Sequence, residues 1–366
     1  MALQIGIIGL PNVGKSTLFN VLTQAQNAEV ANYPFCTIEP NQAIVAVPDP
    51  RLNLLAELVR VQKKINTTIE FLDIAGLVKG ASKGEGLGNQ FLGHIRNTDA
   101  LLHVVRCFED PNVIHVSPEP DPEEDIRTIQ LELILADLEQ TANKIEKLSR
   151  QAKGDKSLLS TLAMTEKIAS HLNSGQLLAS FPEKTNPLFE EINHEMRFLT
   201  SKPVIYAANI GEEFLAADHP SLEAIKSIAA ETDSPVVQIS ALVESDLNTL
   251  DPSDRLDYMT LSGIQASGLD QVIQTCYQML DLISFFTFNT EEARAWTVKK
   301  GAKAPQAAGR IHTDFERGFI KAEVIPFDTF QILGSLTAAR ESGKLRVEGK
   351  EYLVHDGDVI YFKFNV

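Results

Sequence analysis

The chain has 366 residues, 44% of them hydrophobic, so about two or three domains with sizeable cores are expected. Its net charge of −16, from 33 basic and 49 acidic residues, argues against broad nucleic-acid binding and limits any RNA contact to a local patch. No apolar run has the length of a membrane span, and the three widely spaced cysteines fit neither a disulfide framework nor a zinc site. We therefore expect a cytoplasmic protein, in a reducing compartment, with no membrane partner.

The segment from Gly9 to Thr17 matches GxxxxGK[ST], the pattern of a glycine-rich loop that binds nucleoside triphosphates. It follows the apolar run at residues 5–8 and opens a helical pattern, which is the strand–loop–helix context that the motif requires. The loop's N–H groups and the positive end of the helix would face the phosphates. We expect Lys15 to reach the β and γ phosphates as a catalytic residue and Ser16 to ligate Mg²⁺. The expected nucleotide-binding residues of this loop are Asn12, Val13, Gly14, Lys15, Ser16 and Thr17.

Two later segments supply further groups that such a site needs. Asp73-Ile74-Ala75-Gly76 closes a predicted strand, which places Asp73 to hold Mg²⁺ through water and the Gly76 N–H to meet the γ-phosphate. Thr37 lies where a switch loop would bring a second hydroxyl to the metal, with a plain turn threonine as the alternative. The glycine-rich stretch 78–88 follows directly, and we expect it to order when the γ-phosphate binds.

Strand-like apolar segments alternate with helical stretches in two parts of the chain. They lie at residues 43–47, 68–72 and 101–105, and again at 203–207 and 235–239. Short apolar strands separated by helices are typical of a mostly parallel sheet that is covered on both faces. Together with the glycine-rich loop, they predict an α/β nucleotide-binding domain formed by residues 1–120 and 200–282.

The intervening stretch 121–199 has a different pattern. Asp121 and Pro122, followed by acidic residues, are typical of a helix start. Apolar residues then recur every three or four positions with a polar break at 154–156, which predicts an inserted antiparallel helical hairpin. The alternative is a solvated spacer, which has no need of a sustained apolar stripe.

A second pair of loops is placed to contact the base. Asn209-Ile210-Gly211-Glu212 stands where a guanine-binding protein would have Asn-Lys-x-Asp, and Ser240-Ala241 begins the loop after the next strand. Glu212 is one methylene longer than Asp and would crowd a purine positioned for the shorter side chain, while Ile210 replaces the stacking Lys. Loss of a hydrogen-bond partner fitted to the substrate can remove about 10⁴-fold in discrimination. We therefore expect ATP to bind at least as well as GTP.

The group that orients the attacking water is less clear from the residues. Many hydrolases of this class carry Gln after the DxxG motif, but this chain has Leu77, whose side chain cannot hydrogen-bond to water. His115, on a loop after a predicted strand, is the best candidate, although a solvated loop histidine is equally consistent with its position. His103 alternates within a strand and is expected in the core. Because turnover without a water-orienting group is very slow, a nucleotide-gated RNA- or ribosome-binding module with negligible turnover stays open as an alternative.

Residues 283–366 return to strand-like runs separated by Gly and Asp turns, which predicts a small separate α+β domain. Basic residues in this segment roughly balance acidic ones, so the negative charge lies mostly upstream. Any RNA contact is expected here, and a solvated sheet face is the alternative. The basic side chains concerned are Arg310, His312, Arg317 and Lys321.

Together these residues resemble the YchF / Obg-like ATPase family of P-loop hydrolases over essentially the whole chain. The most specific stretches are 32–41, 73–90 and 307–319. The last of these is similar to the core of a TGS domain, a ubiquitin-like β-grasp module. The resemblance implies an α/β fold: a P-loop NTPase (G-domain-like) sheet, an inserted α-helical coiled-coil hairpin at 121–199 and a C-terminal β-grasp (TGS) domain at 283–366.

The resemblance also implies an activity. Members prefer ATP over GTP, associate with ribosomes and use a loop histidine in place of the usual Gln, which carries over to His115 because its surrounding loop matches. We expect a Mg²⁺-dependent ATPase that also accepts GTP and binds the ribosome, through the large subunit and rRNA, as a monomer. A guanine-specific translational GTPase is the rival enzyme, and the segment 209–212 disfavours it.

Overall fold

The structure is a computed structural model that describes residues 3–29, 41–74, 87–109, 121–215, 217–264 and 267–365. The chain divides into two compact units. The first contains the described residues of Met1–Gln24, Glu39–Ala43 and Glu70–Val272, and the second those of Ala25–Ile38, Ile44–Ile69 and Ile273–Val366. None of the described helices is long and apolar enough to cross a membrane.

Helices and strands alternate through most of the described chain. The first elements are β1 (Gln4–Ile8), α1 (Lys15–Glu29), β2 (Gln42–Ala46), α2 (Pro50–Val59), β3 (Lys63–Ile65), β4 (Thr68–Asp73), α3 (Leu87–Asn97) and β5 (Ala100–Cys107). They are followed by α4 (Pro122–Gln151), α5 (Leu159–Asn173), α6 (Pro187–Met196), β6 (Val204–Ile210), α7 (Leu222–Ala230), β7 (Val236–Ile239), α8 (Ala241–Leu247), α9 (Pro252–Leu261) and α10 (Gly268–Met279). The last are β8 (Leu282–Phe288), β9 (Glu292–Lys299), α11 (Ala304–Ile311), α12 (Thr313–Arg317), β10 (Phe319–Pro326), α13 (Phe327–Leu333), α14 (Leu336–Glu341), β11 (Arg346–Glu348) and β12 (Asp358–Phe364).

A six-stranded sheet in the order β2-β4-β1-β5-β6-β7 holds the glycine-rich loop. β1 pairs in parallel with β4 and β5, and β5, β6 and β7 continue in parallel. Every residue of β5 is buried, as expected for a strand covered on both faces. The five predicted strands are therefore present, with bounds that differ by a few residues.

The predicted helical insertion is also present. α4 begins where expected, because the Asp121 carboxylate accepts hydrogen bonds from the N–H groups of Glu123 and Glu124 at 3.0 and 3.1 Å. α4, α5 and α6 then bury one apolar cluster that includes Ile134, Met164, Ile168, Phe189 and Phe198. The apolar stripe seen in the sequence is therefore the packing surface of the helices.

A buried carboxylate, Asp137, ties this insertion to α3. Asp137 has 0% relative exposure and accepts hydrogen bonds from the Leu199 N–H at 3.1 Å and from the Thr200 N–H and hydroxyl at 2.8 Å each. The Arg96 guanidinium of α3 lies 3.2 Å from the same carboxylate and also donates to the Arg197 carbonyl at 3.1 Å. Because a buried carboxylate is costly unless it is fully paired, this cluster fixes where the insertion leaves the sheet domain.

The second unit contains a mixed sheet in the order β11-β10-β12-β8-β9-β3. β8 and β9 are antiparallel, as are β10 and β12, while β12 runs parallel to β8 and β3 parallel to β9. α11 contributes to one apolar cluster of this unit, and α2 and α13 contribute to the other. α2 and β3 come from much earlier in the chain, and the sequence does not indicate their place here. The three-domain division of the chain stays a prediction.

Candidate functional site

The glycine-rich loop connects β1 to the start of α1 and depends on two glycines. Gly9 and Gly14 have φ angles of 150° and 97°, in the region that favours glycine. A Cβ on Gly9 would lie 2.5 Å from the Val104 carbonyl oxygen of β5, and one on Gly14 would collide with the Asn209 side-chain nitrogen. Both positions therefore require glycine for packing, before any phosphate is considered.

Lys15, the first residue of α1, is folded back into the loop. Its side chain is buried and its Nζ donates to the Leu10 carbonyl. Burial lowers the Lys15 pKa to about 8, and the Asp73 carboxylate at the end of β4 partly opposes this. Burial likewise raises the Asp73 pKa, and Lys15 opposes that shift. The buried ammonium group is therefore only partly compensated by Asp73, and a bound phosphate would supply further negative charge.

Ser16, Thr17 and Asn12 are exposed around the loop. The Ser16 hydroxyl and the half-buried Asp73 carboxylate are oxygen ligands of the kind that Mg²⁺ prefers. No group of three His, Cys, Asp or Glu side chains that could hold a metal ion occurs among the described residues. A P-loop magnesium site has no need of such a group, since hydroxyls, water and phosphate oxygens supply its other ligands.

The Asn209 side chain joins the glycine-rich loop to the loop that begins at Ser240. This side chain is 4% exposed at the end of β6; its Nδ2 donates to the Val13 carbonyl at 2.9 Å, and its Oδ1 accepts from the Ala241 N–H at 3.0 Å. Ser240, also buried, immediately precedes α8. The structure therefore brings together the predicted residues of three separate loops through one amide.

The other two base-side positions, Ile210 and Glu212, differ in their surroundings. Ile210 is 3% exposed and belongs to an apolar cluster with Tyr206 and Ile225, so its side chain is part of the core. Glu212 is exposed in the short 3-10 turn Glu212–Phe214, where its Oε1 accepts a hydrogen bond from the Tyr258 hydroxyl at 2.8 Å. Of these two, only Glu212 keeps polar atoms available at the surface.

Sequence reasoning missed two residues near this site. Tyr258 lies on α9, where an aromatic residue in a helix gives no signal of a polar role. Glu244 of α8 is 4% exposed and accepts hydrogen bonds from the Ser267 hydroxyl at 2.8 Å and the Gly268 N–H at 2.7 Å, which ties α8 to the start of α10. An acidic residue in a short helix is usually solvated, so its burial could not be read from the pattern.

Several sequence-based assignments lie outside the described residues, namely Thr37, Gly76, Leu77 and His115. Their roles stay predictions. His103, by contrast, is described: it is 3% exposed within β5, and burial lowers its pKa to about 3. It is therefore a neutral core histidine.

Replacing Asn209 with alanine is expected to weaken both stability and nucleotide binding. The change leaves the buried Val13 carbonyl and Ala241 N–H without their partner, at a cost of about 1–3 kcal/mol. Urea denaturation and nucleotide titration would measure the two effects. Asn248→Ala is the matched control, because that half-buried side chain makes one bond to an α1 carbonyl, Val21 at 3.2 Å. Equal effects from both variants would contradict a special role for Asn209.

Family models match both ends of the chain. Residues 4–150 match a model described as 50S ribosome-binding GTPase, and residues 282–365 match YchF-GTPase_C, described as a protein of unknown function (DUF933). Among curated relatives, the "Ribosome-binding ATPase YchF" of Escherichia coli O157:H7 is 50% identical and that of Bacillus subtilis strain 168 is 49% identical. Each alignment covers 100% of both chains.

A solved structure is similar over the same extent. The Schizosaccharomyces pombe YchF GTPase is 37% identical with a TM-score of 0.89, and the alignment covers 99% of this chain and 97% of that one. This likeness confirms the predicted fold class, a P-loop sheet domain with an inserted helical hairpin and a C-terminal sheet domain.

Proposed function

The chain belongs to the YchF family, and on that basis we propose that it is a Mg²⁺-dependent ATPase that also accepts GTP and acts as a ribosome-binding nucleotide switch. The observation that carries the proposal is the buried Asn209 amide, which bonds to Val13 of the glycine-rich loop and to Ala241 after β7, as expected if these loops form one site. The printed names of the full-length relatives support ATP hydrolysis and ribosome binding. We further propose that it acts in the cytoplasm as a monomer.

The glycine-rich loop and the start of α1 bind the negatively charged triphosphate. The Gly9–Thr17 backbone and the start of α1 present N–H groups to the triphosphate, and the Lys15 ammonium supplies the positive charge. We assign Ser16 and Thr37 as Mg²⁺ ligands, with Asp73 acting through water. When bound, Mg²⁺ neutralises charge on the phosphate oxygens. The Gly76 N–H is assigned to the γ-phosphate and His115 to the attacking water.

The base preference is the direct test of the proposed nucleotide. In titrations with non-hydrolysable analogues, the ATP analogue is expected to bind at least as tightly as the GTP analogue, because Glu212 is too long for a guanine edge. Glu212→Asp should shift the preference toward GTP. Ile210→Lys is a poor companion change, since it would bury a charge in the core. A wild-type affinity for GTP well above that for ATP would favour the rival, a guanine-specific translational GTPase.

Measuring ATP turnover distinguishes an ATPase from a module that binds nucleotide without hydrolysing it. Phosphate release measured with and without ribosomes should show ATP hydrolysis in at least one condition. Binding without release in both conditions would identify a module that uses nucleotide only as a ligand.

Ribosome binding is assigned to the large subunit, with rRNA contacts on the second unit. Arg310, Arg317 and Lys321 are exposed on α11, α12 and β10, and His312 is exposed between α11 and α12. We expect Arg310→Glu with Arg317→Glu to weaken ribosome cosedimentation and to flatten its salt dependence, since fewer counterions are released. Lys344→Glu with Lys350→Glu, two other exposed positions of this unit, is the matched control. An unchanged salt slope in the arginine variant would mean that these charges only solvate the surface.

A further inference from the structure

We infer that Tyr258 is a specificity-determining residue of the base site. Its hydroxyl holds the Glu212 carboxylate in an orientation that disfavours guanine. The inference rests on the proposed nucleotide-binding function and adds a residue from outside the base-side loops. Tyr258 would act through Glu212, so it is a positioning residue and not a catalytic one.

The position of Glu212 is fixed from its N-terminal side. Asn209, three residues earlier, is bonded to Val13 of the phosphate loop and to Ala241 of the other base-side loop. The turn that starts at Glu212 therefore follows directly on the residue that joins these loops, and the proposed function assigns the base to this end of the site. Any hydrogen-bond partner of the Glu212 carboxylate therefore changes which acceptor positions remain available to a base.

Tyr258 provides such a partner from a separate, well-formed helix. Asp251 caps the start of α9, and its carboxylate accepts hydrogen bonds from the N–H groups of Ser253 and Asp254 at 3.1 Å each. The Tyr258 hydroxyl donates to Glu212 Oε1 at 2.8 Å, and this bond is the largest cause of a raised Tyr258 pKa. The phenol is therefore the donor and the carboxylate the acceptor.

The two purines make different demands on a carboxylate. Guanine presents N1–H and N2–H side by side and uses both carboxylate oxygens, whereas adenine offers the N6 amino group to a single acceptor. Each carboxylate oxygen can accept two hydrogen bonds, so Tyr258 acts by fixing the rotation of the carboxylate and not by blocking Oε1. In that fixed orientation the two oxygens cannot both align with guanine N1–H and N2–H, whereas adenine needs only one of them. Fixing an acceptor pair in an orientation that the competitor cannot use is selection against the wrong ligand.

The test measures a ratio of affinities in the full-length protein. Dissociation constants for non-hydrolysable ATP and GTP analogues would be determined by calorimetry for wild type, Tyr258→Phe, Glu212→Gln and the double variant. Tyr258→Phe removes one hydroxyl from a half-buried ring, and a thermal melt would verify that the fold is intact. Tyr361→Phe, on an exposed tyrosine of the second unit, is the matched control.

We expect Tyr258→Phe to improve binding of the GTP analogue relative to the ATP analogue by about three- to tenfold, the range for one partly exposed hydrogen bond to a charged group. The effect should disappear in the Glu212→Gln background. A ratio unchanged by Tyr258→Phe, or one that shifts equally in both backgrounds, would overturn the inference. A wild-type preference for the GTP analogue would instead refute the proposed base preference, while the change in ratio would still decide the role of Tyr258.

Discussion

Replacing His115 with alanine is expected to lower ATP turnover by about 10²-fold or more while leaving nucleotide affinity nearly unchanged. In-line attack needs a water held opposite the leaving oxygen, and Leu77 has no polar atom to hold it. A histidine imidazole can accept a hydrogen bond or a proton from water near neutral pH. Because the side chain is assigned to water and not to phosphate, its loss should affect turnover alone.

Two variants serve as controls for this experiment. Lys15→Ala should weaken nucleotide binding itself, since the ammonium group pairs with phosphate. His194→Ala, on an exposed position of α6, should change neither binding nor turnover. If His115→Ala hydrolyses ATP at the wild-type rate, with ribosomes and without, another group orients the water.

Asp137→Ala is expected to destabilise the first unit by about 3–5 kcal/mol, the range for breaking a buried ion pair by removing one partner. The substitution leaves the Leu199 and Thr200 N–H groups and the Arg96 guanidinium without their shared acceptor. Asp137→Asn keeps one acceptor oxygen and should lose less. Urea denaturation would measure the loss, and amide hydrogen exchange at Leu199 and Thr200 would locate it.

Asp155→Ala is the control for that series, because Asp155 is an exposed cap that bonds to the Ser157 N–H at 2.9 Å. It should change stability little. Unfolding curves for Asp137→Ala that overlay those of Asp155→Ala would show that the buried carboxylate does not hold the insertion in place.

The parts of the molecule that the sequence predicts correctly are those specified by neighbouring residues. The glycine-rich loop, the Asp121 cap and the apolar stripe of α4 each depend on spacing within a few turns of chain, so local chemistry is sufficient to identify them. The strands follow for the same reason, since each is a short apolar run between turn signals. Nothing in these patterns requires knowledge of a distant partner.

The features that the sequence misses depend on contacts between distant residues. Asn209 and Val13 are 196 positions apart, and no periodicity reports their hydrogen bond. Ile210 shows the same limit: its motif position predicts a base contact, but it ends a strand whose last six residues are all buried, and its side chain packs among Tyr206 and Ile225. Tyr258 and the second-unit position of α2 are likewise set by tertiary packing.

The length of α4 determines how far a movement at the Asp137 cluster would displace the end of the helix. The helix has 30 residues, and the 14 positions from Asp137 to Gln151 span about 21 Å at 1.5 Å per residue. Arg96 of α3 contacts Asp137, so this point would act as a pivot for α4. α3 itself begins at Leu87, directly after the stretch 75–86. A tilt of about 5° at this pivot moves the far end of the helix by about 2 Å, roughly the amplitude of helix shifts in known switching proteins. The Asp137 cluster therefore divides α4 into two nearly equal halves, and a small rotation at the cluster would be amplified into a shift at the far end of the insertion.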